Sequence, residues 1–91
     1  MKLIWTPESI NNLEAIFLYI AKENPKAASA TVTRINKAAK LLAEFPLSGR
    51  PGKKKDTREL TIPGNNYFIS YRIKANSIDI LSVIHQSRNW H

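Results

Sequence analysis

The chain contains no cysteine and only two histidines, His85 and His91, both near its C-terminal end. Without cysteine no disulfide can brace the fold, and thiolate metal sites and thiol catalysis are excluded. A zinc site would need carboxylates gathered around the histidines, and none cluster there. No apolar run approaches the ~20 residues a membrane span requires, and no signal peptide opens the sequence, so a cytoplasmic address is expected. Internal repeats are absent. Acidic residues are scarce as well, seven against fourteen Lys plus Arg, which leaves a net charge of +7. With 91 residues there is room for one small domain and none for a two-domain enzyme.

What is present is globular: 43% apolar and 23% charged residues. The basic excess is unevenly placed. Residues 1–45 hold six basic and four acidic side chains, whereas residues 46–91 hold eight and three. Such a chain seeks an anionic partner, which charge alone leaves open among nucleic acid, an acidic protein and a membrane surface.

The pattern along the chain predicts the order β-α-α-β-β-β. Lys2–Thr6 reads as a first strand. Thr6-Pro7-Glu8 is a helix start, with a capping hydroxyl, a proline suited to the first helical position and a carboxylate at the positive dipole end. Ile10, Leu13, Phe17 and Ile20 recur at three- and four-residue steps and predict a helix over about 7–23. Asn24-Pro25 opens a second helix whose stripe is Ala28, Val32, Ile35, Ala39 and Leu42, flanked by Ala38, Leu41 and Phe45. The short connection makes the pair an antiparallel hairpin. Residues 47–56 read as a loop ending in Lys53-Lys54-Lys55. Strands follow at Thr57–Ile62, Tyr67–Ile73 and Ile78–His85, with turns at Pro63-Gly64-Asn65-Asn66 and Lys74-Ala75-Asn76-Ser77. The last strand is apolar on both faces, Ile78, Ile80 and Ile84 against Leu81 and Val83, as an interior strand would be. Each helix is apolar on one side only, so the expected fold class is α+β, a helical hairpin packed on one face of an antiparallel sheet.

The sequence resembles the RelE/ParE superfamily of bacterial type II toxins over nearly its whole length. The residues that carry the resemblance are Trp5-Thr6-Pro7, Tyr19-Ile20, Asn24-Pro25, Ala27-Ala28, Phe45-Pro46, Gly49-Arg50-Pro51-Gly52, Thr57-Arg58-Glu59-Leu60, Tyr67 through Tyr71-Arg72, and His85-Gln86-Ser87-Arg88-Asn89-Trp90. The resemblance implies the fold just described, no cofactor, and a companion antitoxin that wraps and neutralises the toxin. It also implies one of two targets. RelE-like members cut mRNA on the ribosome, whereas ParE-like members bind and poison DNA gyrase.

Cleavage of RNA by its 2′-hydroxyl needs that hydroxyl deprotonated, the phosphate neutralised and the leaving oxygen protonated. Relative to the RelE pattern, Phe68 stands where an arginine follows the strand tyrosine. Gln86 falls at a second arginine position, and the nearest aromatic to the C-terminal tyrosine is Trp90. Neither phenyl nor indole can move a proton. These departures favour the ParE-like branch, a binding inhibitor of gyrase, over the alternative of a ribosome-dependent endoribonuclease. A plain nucleic-acid binder is a third reading, without the recognition helix or aromatic platform such proteins display.

Were the chain a nuclease, its catalytic set would be His85, Arg58, Arg72 and Glu59, with Glu59 orienting His85 or acting as base. A histidine ending a strand is more often a structural hydrogen-bond partner. The target-binding set on a ParE-like reading is Arg50, Lys53, Lys54, Lys55, Arg58, Arg72, Arg88 and Trp90, a basic face with hot-spot residue types at its end. For this set, Arg72 pairing with Asp79 or Glu59, and Trp90 folding back onto the core, stand as competing readings. Phe17, Ile20, Val32 and Ile35 belong to core stripes whose edges are candidates for antitoxin binding, where buried apolar area contributes about 25 cal/mol per Å².

Overall fold

The computed structural model describes residues 1–88. Its elements run β1 (Lys2–Trp5), α1 (Pro7–Ala21), α2 (Pro25–Glu44), β2 (Arg50–Pro51), β3 (Arg58–Thr61), β4 (Tyr67–Ile73) and β5 (Ser77–His85), with short 3-10 turns at Pro46–Ser48 and Gln86–Arg88. Two helices pack on one five-stranded sheet of order β1-β5-β4-β3-β2. No described helix is long and apolar enough to cross a membrane.

Both predicted caps form. The Thr6 hydroxyl accepts the Ser9 amide, with Pro7 in the first turn, and Asn24 Oδ1 accepts the Ala27 amide at 3.1 Å, with Pro25 beside it. These bonds satisfy amides that a helix start would otherwise leave unpaired. In α2, Ala28, Ile35, Ala39 and Leu42 are fully buried, as the stripe requires. The first helix is rotated from its expected phase. Ser9 and Ile16 are its buried residues, while Ile10 and Phe17 stand 53% and 37% exposed. The cause is polar: the Ser9 hydroxyl donates to the Thr6 carbonyl at the cap and Asn12 accepts the Val83 amide of the sheet, and a hydrophobicity pattern does not register them.

The sheet is mixed, because β1 pairs with β5 in parallel, Lys2 opposite Ser77 through Trp5 opposite Ile80. The other pairs are antiparallel. The helical hairpin returns the chain to the end of the sheet where β1 finished, and β5, the fourth strand after it in an antiparallel succession, therefore runs parallel to β1. The predicted loop also contributes a two-residue edge strand, β2, with Arg50 opposite Glu59.

Strand β5 departs from simple alternation. Ser70 is opposite Ser82 but Tyr71 is opposite Ile80, so Leu81 is an extra residue, a β-bulge. The bulge moves Val83 onto the helix-covered face with Ile78 and Ile80, and leaves Ile84 opposite Phe68 on the other face. The expected grouping of Ile84 with Ile78 and Ile80 is therefore corrected by one residue of slip. The bulge is held by polar side chains from α1. The Thr6 hydroxyl donates to the Ile80 carbonyl at 2.7 Å, and the Val83 amide donates to Asn12 Oδ1 at 2.9 Å. Beyond Trp5, β5 has no neighbour on that side, and Asn12 supplies the missing acceptor.

Candidate functional site

Register assigns the candidates on the strands to faces. Glu59, Ser70 and Ser82 form one row across β3, β4 and β5; Thr61, Phe68 and Ile84 form the next; Arg72 lies opposite Asp79. These rows make up the face that the helices leave open. The helix-covered rows are Arg58–Tyr71–Ile80, Leu60–Ile69–Val83 and Tyr67–His85.

A cleft runs over the open face, bounded by the start of α1 (Thr6, Pro7 and Glu8) and by the 53–57 loop. Its floor is Phe68, Ser70, Leu81, Ser82 and Ile84, and its charged lining is Lys53, Lys54, Glu59 and Arg72, with Glu8 at the α1 rim. Phe68, the residue standing in place of an arginine, is 2% exposed. Glu59 is almost as deep at 9%. Its carboxylate takes a salt bridge from Arg50 at 3.2 Å and accepts the Lys53 backbone amide at 3.4 Å. A buried carboxylate with two donors is stabilised against the cost of desolvation.

Arg72 pairs with neither of its expected partners. Glu59 is held by Arg50, and Asp79 by Lys74 at 3.1 Å. Among the described residues the Arg72 side chain, half-buried in the cleft, makes no hydrogen bond and no ion pair.

The basic loop itself is rigidly closed. Gly52 donates to the Thr57 carbonyl at 2.8 Å, the Thr57 hydroxyl donates to the Lys54 carbonyl, and Asp56 adopts the left-handed conformation at φ 61°. Lys54 and Lys55 are exposed on it.

The four residues of the nuclease set are not brought together. Glu59 and Arg72 face the open cleft, whereas His85 lies on the opposite face beside Tyr67, the rings edge to face at 5.1 Å. Nδ1 of His85 accepts the Ser87 amide at 3.1 Å and sits 2.7 Å from the Ser87 hydroxyl. Its groove is lined by Asn12, Ile16, Tyr19 and Tyr67 of the helix side. Glu59 cannot orient His85 across the thickness of the sheet. Arg58 is spent on the backbone, donating from Nε to the Gly49 carbonyl at 2.9 Å and reaching the Leu47 carbonyl at 3.5 Å. Of the target-binding set, Arg50, Lys53, Lys54 and Arg72 share the open side, whereas Arg58 lies in a helix-covered row. Trp90 and the Arg88 side chain lie outside the described residues.

Of the four antitoxin candidates, Ile35 is fully buried and offers no surface, Ile20 and Val32 are half-buried, and Phe17 is exposed. Sequence reasoning placed Leu41 and Phe45 beside the core stripe. They are instead 56% and 59% exposed, one helical turn apart, next to Leu47 at 71%. Their offset from the Ile35–Ala39–Leu42 stripe was the available signal. The serine pair Ser70 and Ser82 was missed because its convergence depends on register.

This architecture, a helical hairpin on one face of a five-stranded mixed sheet, is that of the type II toxins of the RelE/ParE superfamily. The chain belongs to the ParE toxin family of type II toxin–antitoxin systems (parDE), whose family model matches residues 3–90. It is 43% identical over 89 residues to Y4kP of Sinorhizobium fredii, covering 98% of this chain and 92% of that protein. It is 30% identical over 87 residues to toxin RelE2 of Caulobacter vibrioides, covering 96% and 97%. In fold it matches a structure of a chromosomal ParDE system from P. aeruginosa with a TM-score of 0.83 and 28% identity, over 93% of this chain and 95% of that one. It also matches the Helicobacter pylori protein HP0894, with a TM-score of 0.60 and 18% identity over 96% of both chains, a likeness of fold alone.

Proposed function

We propose that this toxin is a non-enzymatic inhibitor of DNA gyrase, engaging it through the basic open face of the sheet and held inactive by a cognate antitoxin. The observation that carries this reading is the separation of His85 from Glu59 and Arg72 by the thickness of the sheet. Proton transfer to and from one ribose and one phosphate needs its acid, base and cations within hydrogen-bond reach of a common point. Here the imidazole is on one side, the carboxylate is bridged to Arg50, and Arg58 is bound to carbonyls. Phe68 adds an apolar floor where phosphate chemistry would require a cation. An antitoxin partner is supported by the similarity to a ParDE toxin–antitoxin system and by exposed apolar side chains on both helices, Ile10, Phe17, Leu18, Leu41 and Phe45, which a partner would cover.

Purified toxin added to a supercoiling reaction is expected to block it and to leave cleaved DNA, with activity restored by the co-purified antitoxin. Unchanged supercoiling, together with cuts mapped in mRNA on translating ribosomes, would overturn the reading. Loss of such cuts in His85→Ala would then identify the nuclease alternative.

A further inference from the structure

The open-face cleft has an uneven distribution of charge that says which kind of anion fits it. Its basic rim suggests a general polyanion site, but a carboxylate sits in the middle. Glu59, nine-tenths buried, already occupies Arg50 and the Lys53 amide. A nucleic-acid strand carries a phosphate at every step, so one of them would meet this carboxylate, whereas a segment charged only at alternate positions can set an uncharged residue beside it. What remains for a ligand is narrower. Arg72 is half-buried with no partner among the described residues, the Ser70 and Ser82 side chains lie in the same floor, and Leu81 and Ile84 supply apolar surface around them over the buried Phe68 ring.

We propose that this cleft binds a protein segment in which acidic and apolar side chains alternate, with Arg72 receiving a carboxylate and Glu59 excluding nucleic acid. Arginine suits the role because its planar fork pairs with a carboxylate through two parallel bonds. Apolar side chains flanking that carboxylate find Leu81 and Ile84, which the buried Phe68 ring backs, and the serine hydroxyls provide donors beside them. Glu59 acts as the repulsive element that specificity requires in addition to an attractive one. This assignment rests on the protein-target reading above and gives the contact its chemistry. It predicts that the partner surface docking here is acidic, not a basic or nucleic-acid-like one.

The test measures binding by the isolated toxin at physiological salt, using fluorescence anisotropy and three probes: a short peptide of alternating Asp and Leu, its Lys and Leu counterpart, and single-stranded oligouridylate. The Asp-Leu peptide is expected to bind best. Arg72→Gln should weaken it about tenfold, as loss of a charge-assisted contact does. Glu59→Gln should raise oligouridylate affinity about tenfold, with a steeper salt dependence. Should Glu59→Gln prove unfolded by circular dichroism, Glu59→Ser removes the same charge with less bulk. Wild-type preference for oligouridylate or for the Lys-Leu peptide, indifference of the Asp-Leu peptide to Arg72→Gln, or no gain on removing the Glu59 charge would each overturn the assignment. Because gyrase is absent from the measurement, its outcome and that of the supercoiling assay are independent.

Discussion

The Tyr71 hydroxyl lies beneath the loop that carries the basic residues, donating to the Pro46 carbonyl at 2.6 Å and accepting the Gly49 amide at 2.9 Å. It fixes the start of β2 and, through β2, the position from which Arg50 reaches Glu59. Tyr71→Phe leaves the ring in place but strands a buried amide and a carbonyl, so a loss of about 1–3 kcal/mol is expected in urea denaturation. Gly49 makes this approach feasible. A Cβ built there would meet the Tyr71 hydroxyl oxygen at 2.6 Å and the Glu59 carbonyl at 2.8 Å. Gly49→Ala should therefore destabilise too, and should loosen Arg50 from Glu59, measurable as a shift of the Glu59 carboxylate resonance by NMR. Gly64 has a different reason for being glycine: the Pro63-Gly64 turn requires φ 88°, the position that type II turns reserve for it.

At the scale of elements, the bulge at Leu81 couples helix to sheet. Asn12→Ala removes the acceptor for the Val83 amide, so stability should fall by about 1–3 kcal/mol and the Val83 amide should exchange faster with deuterium. Asn12→Asp keeps an acceptor and should lose less. The same bulge explains what the sequence did and did not disclose. Apolar spacing and capping pairs such as Thr6-Pro7 and Asn24-Pro25 are local, and they located both helices and the three long strands to within a few residues. Leu81 looks like any strand leucine, and only pairing with Ser70 and Tyr71 reveals it as extra. The phase of α1 was hidden for a related reason, since Ser9 is buried against the Thr6 cap and Asn12 is held by the distant Val83 amide, and apolar spacing registers neither. For the site, the basic residues were legible as a run, but the sorting of His85, Arg58 and Glu59 onto faces depends on register, which no single segment encodes.

Over the whole molecule, the positive field is long-ranged while the cleft's own charges are partly cancelled. Lys54 and Lys55 extend from the loop into solvent. Replacing both by serine should leave the unfolding midpoint nearly unchanged, within about 0.5 kcal/mol. Association with an acidic partner should slow, and the difference from wild type should shrink as salt is raised. Stopped-flow rates at two ionic strengths would measure it, and a salt-independent loss would point to direct contacts in place of steering.

The parallel pairing of Lys2–Trp5 with Ser77–Ile80 also constrains the order of events during synthesis. The first strand made has no neighbour until the fifth has emerged, and the fifth is the strand that also flanks β4. A ribosome-bound chain halted before residue 77 therefore holds its basic loop and both helices without the seam that joins them. The sheet is closed only by its last-made strand, which must take its place between two neighbours synthesised before it.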